Sequence, residues 1–209
     1  MENNLTTSFL EKIRIPKLLR ESLLIVLSIL LALVINEWRA NQKLEVEKEK
    51  ILASIILELE NNLESLREVM PYHKKVAKGL SDLLKSENVQ DSLGNRSAIN
   101  LFFQYSQNGF QEPRVQANAW QTAQLSGTMS QFDNEIIYHL SVLHELQQEG
   151  VETGWKKTAE SFYESESFDP SKNLMILQRF QLSVSSLAGM ERYLIEKHEE
   201  TLEFLRNKK

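Results

Sequence analysis

Four histidines, His73, His139, His144 and His198, are the side chains of this sequence best suited to hold a metal or move a proton near neutral pH. A di-iron site on helices needs Glu and His three residues apart on two of them, and no Glu here has a His three residues after it. His139 and His144 are five apart, which turns them roughly 140° away from each other on a helix, so they cannot share one ion. Glu135 and His139, four apart, fall on one face and read as a helix-surface pair.

Other chemistries fail on residue type. The chain has no Cys, which removes disulfides, thiolate metal sites and thiol catalysis while fitting either redox compartment. Asp is confined to Asp82, Asp91, Asp133 and Asp169, and the many Glu on charged helices read as a solvated face. No Gly-rich phosphate loop and no nucleophile elbow occurs. The aromatic residues Trp120, Phe132, Trp155, Phe162, Tyr163 and Phe180 recur at helical spacing and read as core. Their alternative reading is a ligand pocket around Trp120 or Trp155. The expectation is a non-enzyme with no catalytic, cofactor-binding or metal residues.

These residues must sit on helices. Of 209 residues, 42% are hydrophobic and 25% charged, with only seven Gly and four Pro. That is one domain with an appendage, too poor in turn formers for a β-sandwich or barrel. The fold expectation is all-α: an N-terminal transmembrane helix that continues into an antiparallel helical bundle. The net charge is -5. Residues 1–38 carry four basic and four acidic side chains, so the acidic excess belongs to the remainder and argues against nucleic acid as a partner.

The appendage is the run Ser22–Trp38, SLLIVLSILLALVINEW, uncharged between Glu21 and Glu37. Its apolar residues cover every face, which fits lipid or a buried core. Leu18 to Trp38 spans about 30 Å as a helix, the thickness of a bilayer's hydrocarbon, with Arg20 and Trp38 at the two interfaces. A basic leader, Lys12, Arg14, Lys17 and Arg20, also suits a signal peptide. The exit through Val34-Ile35-Asn36-Glu37-Trp38 lacks small residues for cleavage, so an uncleaved anchor is the preferred reading. Its divisions are a leader over 1–17, a membrane helix over 18–38 and a soluble helical domain over 39–209. Asn36 and Glu37, at the last turn, read as meeting water and headgroups rather than a neighbouring helix.

The sequence Ala32-Leu33-Val34-Ile35-Asn36-Glu37-Trp38, followed by a charged helix with Glu58-Leu59-Glu60-Asn61-Asn62-Leu63, resembles an uncharacterised family of small bacterial single-span membrane proteins. Ala119-Trp120 and Leu125-Ser126-Gly127 add a weaker likeness. The resemblance implies a bacterial inner-membrane location and carries over no activity.

Beyond a polar neck at Gln42–Lys50, Leu52, Ile56, Leu59, Leu63, Leu66 and Met70 alternate at four and three, a heptad seam widened by Ile51 and Ile55. It reads as a bundle core face and as a possible homo-oligomer contact, and both can hold. Pro71 predicts a kink or helix end after Met70. A second helix follows over Tyr72–Leu84, a loop over Ser86–Asn95, a helix over Ser97–Gln107 and a turn at Asn108–Pro113. Val115–Leu125 reads as a helix stopped by Gly127, and another runs from Ser130 to Trp155 with Gly150 and Gly154 as possible interruptions. Asp169-Pro170 opens the last helix, which reaches Leu205.

Three functions follow as expectations: a membrane-anchored scaffold or interaction module, a tethered sensor with a ligand in its bundle, and a bilayer-disrupting oligomer. A Trp120 or Trp155 pocket with convergent polar groups points to the sensor. A continuous exposed stripe from Leu52 to Met70 points to assembly. The cations flanking the span, Lys12, Arg14, Lys17 and Arg20 against Arg39, Lys43, Lys48 and Lys50, tie at four each. The leader's compactness tips the soluble domain to the extracytoplasmic side.

Overall fold

The computed structural model describes residues 17–208, and all regular structure among them is helical. In order these are α1 (Lys17–Leu84), α2 (Val89–Leu93), α3 (Ala98–Tyr105), α4 (Asn118–Leu125), α5 (Asn134–Gln147), α6 (Gly154–Phe162) and α7 (Asn173–Asn207). The leader cations Lys12 and Arg14 lie outside the described residues.

The chain divides into two compact units, Met1–Glu47 and Lys48–Lys209. In the first, α1 carries a stretch long and apolar enough to cross a membrane, none of it buried. Every Leu, Ile and Val from Leu23 to Val34 is more than half exposed. Ser28, the polar residue in this run, donates its hydroxyl to the Leu24 carbonyl at 2.7 Å, so it adds no unsatisfied donor.

The second unit is organised around two apolar cores. One gathers Leu59, Leu63 and Leu66 of α1 with Trp120, Leu140, Leu143, Leu194 and Leu202. The other gathers Val76 and Leu80 of α1 with Phe102, Phe162, Ile176 and Phe180. In it the Phe162 ring lies 4.3 Å from that of Phe102 and 4.0 Å from that of Phe180. Polar contacts between α1 and α7 run in opposite chain order: Glu60 with Arg206, Arg67 with Glu199, His73 with Glu191.

Long-range packing overrides several local signals. α1 passes through Pro71 without ending. The ring deprives the Arg67 carbonyl of its helical partner, but Val69, His73 and Val76 are all buried around it, and their packing holds the helix together. The predicted loop at 86–95 contains α2, because Leu93 is drawn into the second core. Residues 115–117 are not helical, and α4 starts only at Asn118. The helix predicted from Ser130 begins at Asn134, after a 3-10 turn over Thr128–Gln131. Gly127, at φ 75°, is the left-handed stop that the sequence predicts.

Between α5 and α6 the backbone widens into a π-helical turn over Gln148–Thr153. Gly150 permits it: a Cβ there would sit 2.8 Å from Met190 Cγ on α7 and 3.2 Å from Leu194 Cδ1. Asp169 opens the next element as expected, accepting from the Ser171 amide at 2.9 Å. The turn it caps is 3-10, Pro170–Lys172, and α7 follows it.

Candidate functional site

The polar residues of α1 at positions 58, 62 and 65 lie at spacings of four and three, beside the apolar seam. Their role is to hold a non-helical strap, residues 109–117, and the first turn of α4 that follows it. Asn62 treats the peptide unit at Gln116 as a strand would, donating to its carbonyl at 2.7 Å and accepting from its amide at 2.9 Å. Glu58 accepts from the Ala119 amide and Ser65 from the Arg114 amide. Backbone groups that would otherwise lie near the core unpaired are thereby satisfied. The signal was in the sequence as Glu58, Asn62 and Ser65 on one face, but nothing local names their distant partners.

One turn beyond Met70, between the two apolar cores, His73 and Glu191 form a buried pair. His73 Nδ1 donates to both carboxylate oxygens, at 2.8 and 3.0 Å. The proton position is assigned from that geometry. Tyr72 and Phe110 flank the imidazole, and its Nε2 is buried without a hydrogen-bond partner. A carboxylate that orients an imidazole is also half of a catalytic dyad. Here the second nitrogen meets no hydroxyl, and the pair is enclosed, so the geometry fixes α7 against α1.

A second buried histidine, His198, bonds the Leu194 carbonyl through Nδ1 and Gln147 through Nε2, both at 2.7 Å. Burial holds its imidazole below the ordinary histidine range. His139 stacks on Phe204 with ring centres 4.1 Å apart. Glu135 faces His139, which acts on its charge as the spacing of four suggests, and it also pairs with Lys208 at 2.8 Å, a partner the local spacing could not reveal. That ion pair draws the Glu135 carboxyl below its usual range. Among the described residues no three His, Asp or Glu side chains converge as a metal site.

The two discriminating features read from the sequence come out unlike either expectation. Trp120 and His144 line a small cavity of about 10 Å³, room for about one water. Trp155 is engaged in packing, its indole donating to the Gln111 carbonyl at 3.2 Å and its ring edge-on to Phe110. Of the other aromatic residues assigned to the core, Phe132, Phe162 and Phe180 are buried, but Tyr163 is exposed. Nor is the seam a free stripe: Leu59, Leu63 and Leu66 are buried, and Leu52, Ile56 and Met70 pack half-buried against them.

What the second unit leaves open to solvent are grooves along α1. One of about 590 Å³ lies between α1 and the strap, bordered by Glu64, Glu68 and Glu112 with Arg114. Another of about 630 Å³ lies between the end of α1 and α7, bordered by Lys74, Lys78, Lys85 and Arg192 with Asp82. Their opposite charge was hidden in the sequence, where acidic and basic residues interleave.

Compared with protein-family models, with curated proteins and with solved structures, the chain matches none.

Proposed function

We propose that this is a single-pass protein of a bacterial inner membrane whose helical region beyond the span forms an antiparallel bundle and acts as a non-catalytic interaction module. The observation that carries the reading is the apolar stretch of α1. Ten Leu, Ile and Val side chains between Leu23 and Val34 are each more than half exposed. Fully burying an exposed side chain of this kind contributes about 1.5–3 kcal/mol, and with a little over half of each still exposed water forfeits roughly 9–17 kcal/mol there, on the order of the whole stability of a typical domain. A bilayer recovers it.

The non-catalytic part of the reading is supported by how the buried polar side chains are used. Asn62, His73, Gln147 and His198 all bond to other elements of the fold, in positions that fix the packing of helices and strap. A ligand-binding sensor draws no support from the Trp120 cavity, which is too small for a metabolite.

Full-length protein is expected to stay in the membrane fraction after carbonate washing. Recovery in the soluble fraction, or a mature N-terminus near Asn36 or Ala40, overturns the anchor. Leu27→Arg places a cation at the centre of the span, at about 2.5–3.5 kcal/mol against insertion, and the inserted fraction should fall accordingly.

The compact basic leader favours an extracytoplasmic bundle. Ser86 is exposed just beyond α1, and the chain has no Cys, so Ser86→Cys introduces a single thiol without background. A membrane-impermeant maleimide should label it in intact cells whose outer membrane, where there is one, has been permeabilised. Labelling that requires rupture of the inner membrane places the bundle in the cytoplasm.

A further inference from the structure

In a chain of net charge -5, Lys74, Lys78, Lys85 and Arg192 converge on one groove with Asp82 as the opposing charge. All four cations are exposed, and none is in an ion pair among the described residues. The floor between them is made of small side chains, Ala77 and Ser81 from α1 and Ser185, Ala188 and Gly189 from α7. Small residues let another backbone approach closely, and four cations against one carboxylate favour an anionic occupant.

The shape of the occupant follows from the spacing. Lys74 and Lys78 of α1 and Lys85, one residue past its end, are separated by four and then seven residues, about 6 and 10 Å along the helix axis. A compact anion such as phosphate reaches two of them at most. A helix lying along the groove presents carboxylates at the same intervals of four and seven, one turn and two turns apart, and meets all three. From Met70 to Lys85 the groove extends about 22 Å, the length of a four-turn helix.

We propose that this groove is the docking site of the interaction module, and that its partner is an acidic amphipathic helix of another protein. The proposal rests on the interaction-module reading, but loss of the membrane anchor in the carbonate experiment would leave its own test standing.

The test uses the full chain in detergent micelles and a fluorescent alanine-rich helical peptide with glutamates at spacings of four and seven, alongside its glutamine counterpart. The glutamate peptide should bind at least tenfold more tightly than the glutamine one, with affinity falling as salt is raised. Combined Lys74→Gln, Lys78→Gln and Arg192→Gln should weaken it at least tenfold. These side chains are exposed, so circular dichroism should be unchanged. Gly189→Leu fills the floor without touching the cations, and a Cβ at Gly189 meets no atom within 4 Å, so the fold accommodates it. It should block the peptide while leaving any weak binding of inorganic pyrophosphate intact.

Equal binding of the two peptides, or binding indifferent to the triple glutamine variant, overturns the proposal. So does pyrophosphate binding more tightly than the glutamate peptide, which marks a compact-anion site. Self-association of the wild-type chain that the triple variant abolishes makes the occupant a second copy, and likewise overturns it.

Discussion

Leu59→Lys combined with Leu66→Lys is expected to unfold the Lys48–Lys209 unit. Leu66 is fully buried and Leu59 nearly so, both in the core shared with α4, α5 and α7. Each substitution forfeits about 1.5–3 kcal/mol of apolar burial and adds an unpaired ammonium, whose desolvation costs several kcal/mol more. The sum is on the order of the 5–15 kcal/mol that stabilises a whole domain. In micelles the apolar part of α1 keeps its helix, so the informative measurements are near-UV circular dichroism and protease sensitivity between residues 48 and 209. Loss of tertiary signal with rapid cleavage is the expected result. A folded variant with a smaller oligomeric mass would instead make the seam an intersubunit contact, and a folded variant with unchanged mass would contradict both assignments.

The second large effect is expected at Glu191. It is 1% exposed and receives the Nδ1 proton of His73, whose Nε2 is already without a partner. Glu191→Ala leaves the whole imidazole buried and unsatisfied, which typically costs about 1–3 kcal/mol. Glu191→Gln keeps the shape and one acceptor oxygen, so its loss should be distinctly smaller. Urea unfolding of the full chain in micelles, followed by tryptophan fluorescence, measures both. The three Trp include Trp120 in the first core. A loss under about 1 kcal/mol for Glu191→Ala would show that the pair is no part of what holds α7 against α1.

The readings that survived from the sequence are those whose signal is local. The apolar run at Ser22–Trp38 needs only its own composition to form a helix that a membrane would accept. Gly127 stops α4 because a left-handed residue is needed there, and Asp169 caps a turn two residues ahead of it. The seam from Leu52 to Met70 showed that α1 has a buried face, because periodicity alone reports a face. It could not report what covers that face.

Several of the departures are places where a partner distant in the chain outweighs a neighbour. Pro71 stays inside α1 because packing on both sides of it resists the break that its ring invites. Leu93 pulls a polar stretch into a short helix, and Asn62 keeps residues near Gln116 out of one. Glu135 gains Lys208, distant in the chain, as its ion-pair partner in addition to the histidine one turn away. Local spacing is a property of the sequence, since it depends on dihedral preferences and on contacts within about one helical turn. The sequence by itself therefore determined an all-helical chain with an exposed apolar stretch. Only the tertiary structure decided which of its polar residues are buried, which cations share a groove and that His73 meets Glu191, 118 residues away. Those outcomes depend on the surface that each helix finds opposite it, and hydrophobic burial, being non-directional, does not specify that surface from one segment alone.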